Sequence, residues 1–173
     1  MGMVDQAVIN FACYEDAKEF LGMASATLPD VDFITTTVTG AGIAGNVEAP
    51  IIGHMNAMTA QLKFRTFSAE SLKLQEPREH NIDLRAPQQV YDPVAGVYKT
   101  QAVKHVLVLV PKTLSNGNIA PASPTDGSGS YAVRRWVTYI DGAKTMELDP
   151  YNYVCELNGV DYLADARRAL GKS

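Results

Sequence analysis

The sequence holds little that usually serves chemistry. Its 173 residues include two cysteines, three histidines and one tryptophan. The longest aliphatic run is residues 106–110, ended by Pro111. A membrane-spanning helix needs about 20 apolar residues, so no stable membrane insertion is expected. Acid outnumbers base, 19 Asp and Glu against 15 Lys and Arg, for a formal charge of −4. A general nucleic-acid-binding surface would be basic. The opening residues, Met1-Gly2-Met3-Val4-Asp5, lack the basic and apolar regions of a signal peptide. Cytoplasmic synthesis without such a signal is therefore expected. At 46% hydrophobic and 20% charged residues, the chain has the make-up of one ordinary globular domain, here 1–173.

Cys13 and Cys155 lie at opposite ends of the chain. Each falls on the apolar phase of an alternating segment, Ile9/Phe11/Cys13 and Tyr151/Tyr153/Cys155/Leu157. They read as small core hydrophobes rather than ligands or nucleophiles. His54, His80 and His105 stand apart, with no second His or Cys at metal-ligand spacing, and read as surface or boundary residues. Gly40, Gly42 and Gly45 match the dinucleotide-binding pattern GxGxxG. That site needs a helix to start at the loop, with its amides facing the pyrophosphate. Pro50 and Gly53 leave no room for one, and Lys63 and Arg65 stand where an acid should hold the ribose. The glycines read instead as a permissive loop. Asp126-Gly127-Ser128-Gly129-Ser130 lacks the strand-turn-helix setting of a nucleophile elbow. No catalytic, cofactor or metal site emerges, and the chain is not expected to be an enzyme.

What is present is a period of two. Residues 8–13 alternate, residues 14–18 form a polar break, and residues 19–28 return, which suggests a hairpin. Residues 31–39 carry four threonines and three other β-branched residues, suited to a pleated strand. Met58, Ala60, Leu62 and Phe64 share a face opposite Thr59, Gln61, Lys63 and Arg65, a half-buried strand. Residues 68–74 suit a short helix with Ser68 as N-cap and Glu70, Ser71 and Lys73 exposed. Further strands are expected at 81–90 and 98–110, around the turn at 92–96. Residues 40–55 and 111–130 read as long loops, the second dominated by Pro, Gly, Ser, Thr and Asn. Asp83/Arg85 and Arg134/Arg135 read as solvated strand faces.

Nearer the end, residues 136–140 enter Asp141-Gly142, a dipeptide suited to a type I′ turn, and residues 144–148 return as a hairpin. Asp149-Pro150 turns into a strand over 151–157. Residues 160–170 read as a helix capped by Asn158 or Asp161, with Leu163, Ala166 and Leu170 on one stripe. Arg167 and Arg168 favour its C-terminal dipole, and Gly171 supplies the stop. The expected fold is mainly β (α+β).

The C-terminal stretch is specific. Asp141-Gly142, Asp149-Pro150, then Asn158-Gly159 with Asp161, Leu163, Arg167 and Leu170, resemble the signature of major tail tube proteins of contractile-tailed phages. The inner tubes of R-type phage-tail-like bacteriocins (tailocins) share it. A weaker match runs through Leu28-Pro29, the glycine loop and Ala49-Pro50, and the family's central helix falls around residues 68–74. The resemblance implies a β-barrel-like sandwich of antiparallel strands with a flanking short helix and a C-terminal helix. It implies hexameric rings stacked into a hollow tube, with sheath, tape-measure, baseplate and tail terminator proteins as partners and DNA only as passing cargo. Such a protein is made in the bacterial cytoplasm and ends in the virion tail or tailocin particle. On this resemblance Gly40, Gly42, Gly45, Pro50, Ile51, Ile52 and Met55 form a candidate ring-stacking loop. The alternatives are the tube of a type VI-like secretion apparatus and a monomeric ligand-binding β-barrel, which would need an apolar pocket with convergent polar groups.

Overall fold

The computed structural model describes residues 2–16, 18–20 and 22–172. In chain order the strands are β1 Val4–Val8, β2 Ala12–Glu15, β3 Lys18–Phe20, β4 Met23–Thr27, β5 Phe33–Val38, β6 Val47–Met55 and β7 Met58–Phe64. Helix α1, Ala69–Lys73, precedes β8 His80–Asp92, β9 Val97–Ser115, β10 Gly127–Ile140, β11 Ala143–Asp149, β12 Val154–Leu157 and β13 Val160–Asp161. Helix α2 spans Ala164–Ala169. The mainly β expectation holds.

Three long strands organise the sheet. β9 pairs antiparallel with β8 from His80↔Leu109 to Asp92↔Val97. On its other side it pairs with β10 from Ser128↔Ser115 to Ile140↔Val103. The outer edges of β8 and β10 are each shared by two strands in succession. β8 takes β2 and then β1, while β10 takes β7 and then β11, and β12 and β13 extend beyond β11. β4 borders β7 and β3 borders β2. This branched sheet does not close into a barrel, so the barrel-like expectation is corrected. The branching has a local cause. The β9–β10 register shifts between Ser130 and Tyr131 and again between Val133 and Arg135. A bulge inserts a residue and exchanges the faces of a strand. In the core cluster Tyr131 and Val133 are accordingly followed by Trp136, with Val137 and Thr138 also buried, and β10 changes partner there.

One hydrophobic core gathers side chains from most of these elements, including Leu62, Ile82, Leu107, Leu109, Tyr131, Leu148 and Leu163. In β7, Met58, Ala60, Leu62 and Phe64 are buried as the alternation requires. Cys13 and Cys155 both lie in this core, and burial pushes the Cys13 thiol up to about 12, with Glu15 and Asp83 adding to it.

Several boundaries differ from the sequence reading. The loop expected at 111–130 shrinks to 116–126, because β9 runs to Ser115 and β10 begins at Gly127. Flanked by β7 on one side and β9 on the other, its small polar residues enter the ladder by backbone pairing despite their poor strand propensity. The loop at 40–55 likewise shrinks, since β6 occupies Val47–Met55. The first alternating run splits into β1 and β2, with Asn10 Oδ1 accepting the Phe11 N–H at the break. Ile9 is exposed there, while Tyr14 and Glu15, read as a polar break, belong to β2. Ser68 caps α1 as expected, but Ser71 is buried, because the two serines exchange side-chain hydrogen bonds with each other's backbone N–H. Helix α2 starts later than expected because residues 160–161 pair with β12. Its N-cap is Leu163 without a side-chain hydrogen bond. Of the expected stripe only Leu163 is buried; Ala166 and Leu170 face solvent. The stop at Gly171 holds: Gly171 N–H donates to Arg168 O and Lys172 N–H to Arg167 O, a Schellman ending.

Candidate assembly surface

Residues 33–47 contain no charged side chain, an unusual run in a chain that is 20% charged. They build most of a two-stranded ribbon, β5 against β6, which is separate from the main sheet. Every residue of β5 is exposed, as are Ile43 in the connecting loop and Val47, Ile51 and Ile52 on β6. Glu48 carries the only formal charge between Asp32 and Lys63, and its Oε1 accepts the Thr35 hydroxyl at 2.8 Å. An isolated two-stranded ribbon is marginally stable in water. Exposed strand edges are normally guarded by charge, proline or cover. Here the guard is slight, so the ribbon is a projecting arm suited to being covered.

The root of the arm is fixed by a large bulge. Phe33 pairs with Met55, but Thr35 already pairs with Pro50. The extra residues, 51–54, leave the ladder. Gly53 there adopts φ +69°, and a Cβ at this position would fall 2.4 Å from Leu163 Cγ. Only glycine lets the backbone lie on that leucine. Phe33, Pro50, Ile51, Ile52 and Gly53 of the root, with Cys155 and Leu157 of β12 and Tyr162, line an open apolar pocket of about 250 Å³.

Of the C-terminal signature residues, Leu163 meets this root directly, and the others shape the turns and helix around it in sequence. Asp141 and Gly142 both have positive φ, as the type I′ turn requires, and Asp141 exchanges hydrogen bonds with the backbone of Ala102. Asn158 and Gly159 make a second such turn between β12 and β13. The buried Asp149 accepts from Asn152 and lies 3.8 Å from Arg135 Nε. Asp161 accepts the Leu163 N–H at 3.1 Å and Arg167 Nη2 at 2.8 Å, while Arg167 Nη1 donates to Tyr153 O. These bonds hold the turn that aims Leu163 at Gly53. Leu170 is exposed beyond it.

Burial pushes the Asp161 carboxyl up, but the Arg167 guanidinium and the Leu163 N–H outweigh it and hold the group below the usual carboxylate range. A carboxyl lowered on folding contributes stability that is complete above the ordinary aspartate range and lost as pH falls through the lowered value. Asp161→Asn is therefore expected to lower stability at neutral pH while changing it little in acid, which flattens the acid limb of the stability profile. Urea titrations at stepped pH measure this, and an unchanged acid limb would count against the Asp161 clamp.

Of the residues expected in a stacking loop, Gly40, Gly42 and Gly45 lie at the arm's tip, and Pro50, Ile51, Ile52 and Met55 at its root. The structure brings Ile51 and Ile52, but not the tip glycines, beside Tyr162 and Leu157. Sequence reading missed the role of Gly53, which it placed in the loop at 40–55 and which the structure places inside β6, where a glycine marks a bulge or close backbone approach. It also missed a buried polar cluster. His80, expected near the surface, is fully buried on β8, and Glu15 is 1% exposed on β2. His80 Nδ1 meets Glu15 Oε1 at 2.7 Å and Nε2 donates to Glu76 O at 2.9 Å. Arg78 also donates to Glu15, at 3.2 Å, and Lys73 Nζ approaches at 4.0 Å. His54 is exposed on the arm, and His105 accepts from Thr138 and Trp136 at Nδ1. Desolvation lowers the His105 pKa, which suits that neutral, accepting ring.

The expected solvated faces carry salt bridges. Arg134 pairs with Glu79; Arg135 reaches Glu147 at 2.7 Å, and Lys144 joins Glu147 to Glu156. Arg85 lies 3.6 Å from Asp83 and stacks over the Tyr14 ring.

Fold and surface together define a β scaffold carrying an uncharged projecting arm. The family model described as phage tail tube protein FII matches residues 5–171. The chain belongs to that family, and its role is a structural one in a tail tube. No curated protein matches the chain. Among solved structures it resembles the sheath/tube terminator of an extracellular contractile injection system, PVC, in the extended state. There the TM-score is 0.53 at 12% identity, covering 76% of this chain and 94% of that one. The extended PVC sheath-tube complex gives 0.53 at 12% identity, over 75% and 88%. The tube-terminating cap of the anti-feeding prophage gives 0.53 at 15%, over 75% and 87%. At these identities the likeness is one of fold.

Proposed function

We propose that copies of this chain associate into hexameric rings that stack into a hollow tube, and that the arm supplies the contact between rings. The observation that carries the arm's role is its long exposed ribbon, uncharged over residues 33–47 with Glu48 as its one formal charge, which is hard to reconcile with permanent exposure to water. Gly40, Gly42, Gly45, Pro50, Ile51, Ile52 and Met55 are its contact residues in this reading. Asp141, Gly142, Asp149, Asn158, Gly159, Asp161, Leu163, Arg167 and Leu170 form the framework behind it. Ring closure and stacking need two different heterologous interfaces, and the open sheet edges are material for the first.

In this reading the tube polymerises around a tape-measure protein, lies within a contractile sheath, and runs between baseplate and tail terminator. It acts by penetrating the target envelope, without catalysis or a cofactor. In a phage it conducts DNA, which passes rather than binds. A wall of unopposed basic groups would hold the polyanion; the net charge of −4 and the carboxylates facing Arg134 and Arg135 favour sliding. The particle, a phage tail or a tailocin, is where the protein ends.

Val47→Asp places a charge on the exposed arm without touching the core, where the effect on stability is expected within about 0.5 kcal/mol. Negative-stain microscopy and sedimentation should show rings and tubes for the wild-type chain and loss of tubes for the variant, with unchanged circular dichroism. Tubes forming equally well from the variant would remove the arm from the contact. A wild-type chain that stays monomeric at high concentration would overturn the tube itself.

A further inference from the structure

The tip of the arm and the pocket at its root share one chemistry. At the tip, Ile43 is the only large side chain of the connecting loop, set between Gly42 and Ala44 and exposed. Its small neighbours let the backbone approach a rim closely. At the root, the pocket lined by Phe33, Ile51, Ile52, Leu157 and Tyr162 offers about 250 Å³ and no charged side chain. A dry cavity of about 150 Å³ already holds benzene, so a four-carbon side chain fits. The arm's own tip cannot reach this pocket. β5 runs six residues away from it, about 20 Å at 3.3 Å per residue.

Resting on the reading of the arm as an assembly contact, we infer that Ile43 of one copy occupies the root pocket of the next. The occupant is a second copy of this chain because the contact pairs two uncharged, apolar surfaces that the same chain carries at opposite ends of one ribbon. Each copy then offers one tip and one pocket. Such a head-to-tail contact repeats along a line where its rotation does not close a ring, which is what stacking requires. Two other exposed aliphatic tips fit less well. Val94 sits within the turn that Asp92 caps, beside the Asp92–Lys99 ion pair. Ile119 stands in the 116–126 loop, which Asn118 and Thr125 tie to each other and to Arg65.

The test uses two variants of the full chain, Ile43→Cys and Ile52→Cys, both at exposed positions and each in a Cys155→Ala background that removes the native thiol lining the pocket. Each is assembled alone and in an equal mixture, treated with a short bis-maleimide, and run on a denaturing gel. Covalent dimers are expected in the mixture and not in either variant alone, and a ladder beyond dimer from the double variant. Tubes that assemble from the mixture but give no such dimers overturn the pocket assignment and leave the arm's role standing. Ile119→Cys in place of Ile43→Cys yielding the dimers would overturn it equally, assigning the pocket to that loop. If the cysteine variants do not assemble, Ile43→Asp and Ile52→Asp are mixed instead. Sedimentation should show stacking beyond single rings lost in each alone and restored as paired rings in the mixture, where one variant's intact tip meets the other's intact pocket; no restoration overturns the proposal. A wild-type chain that fails to assemble overturns the underlying reading instead.

Discussion

Gly53→Ala is expected to lower the free energy of unfolding by about 3 kcal/mol. Two costs combine. A residue with a side chain at φ +69° loses roughly 1–2 kcal/mol in the left-handed region. Its Cβ would overlap the Leu163 side chain at 2.4 Å, and overpacking a filled site adds about 1–3 kcal/mol. The stiffer unfolded chain returns only about 0.4–1 kcal/mol. Urea unfolding measures the sum, and Leu163→Ala should cost less in the Gly53→Ala background than in the wild type, because the cavity it leaves also removes the overlap. A Gly53→Ala protein within about 0.5 kcal/mol of the wild type would mean that the arm's root does not lie on Leu163 as described. The same variant should also impair tube assembly, since the root carries the arm.

The second large effect belongs to the buried His80–Glu15 pair. His80→Leu leaves Glu15 in the interior with Arg78 and the more distant Lys73 as its remaining partners. Breaking a buried pair from one side costs about 3–5 kcal/mol, whereas replacing both members with apolar residues can be nearly neutral. The Glu15→Leu/His80→Leu protein should therefore be more stable than His80→Leu alone. A double-mutant cycle by urea unfolding supplies the coupling, and strictly additive losses would show that the two side chains do not depend on each other. Mechanically, the pair ties β2 to β8 and to the segment after α1, one seam of the sheet.

Parts of this architecture were legible because they depend on local rules. The face of Met58, Ala60, Leu62 and Phe64 follows from period two. The turn at Asp141-Gly142 follows from the positive φ that pair tolerates, and Gly171 marks a helix end by the same logic. Where local rules failed, a distant partner had intervened. Gly129 and Ser130 became strand because β7 and β9 flank them. Glu15 became interior because His80, 65 residues away, meets it. α2 lost its first turn to the pairing of β13 with β12.

The sequence by itself determined a mainly β chain, its C-terminal hairpin, and the resemblance that led to the tail tube family. Those features reside in spacing and composition, which survive without knowing what lies opposite. Only the tertiary structure decided that the sheet stays open, that the uncharged stretch stands out as an arm, and that Leu163 and Gly53 meet at its root. Each of these depends on which segments approach in space. A glycine inside a strand pattern does not name the leucine, 110 residues later, that excludes every other side chain from its place.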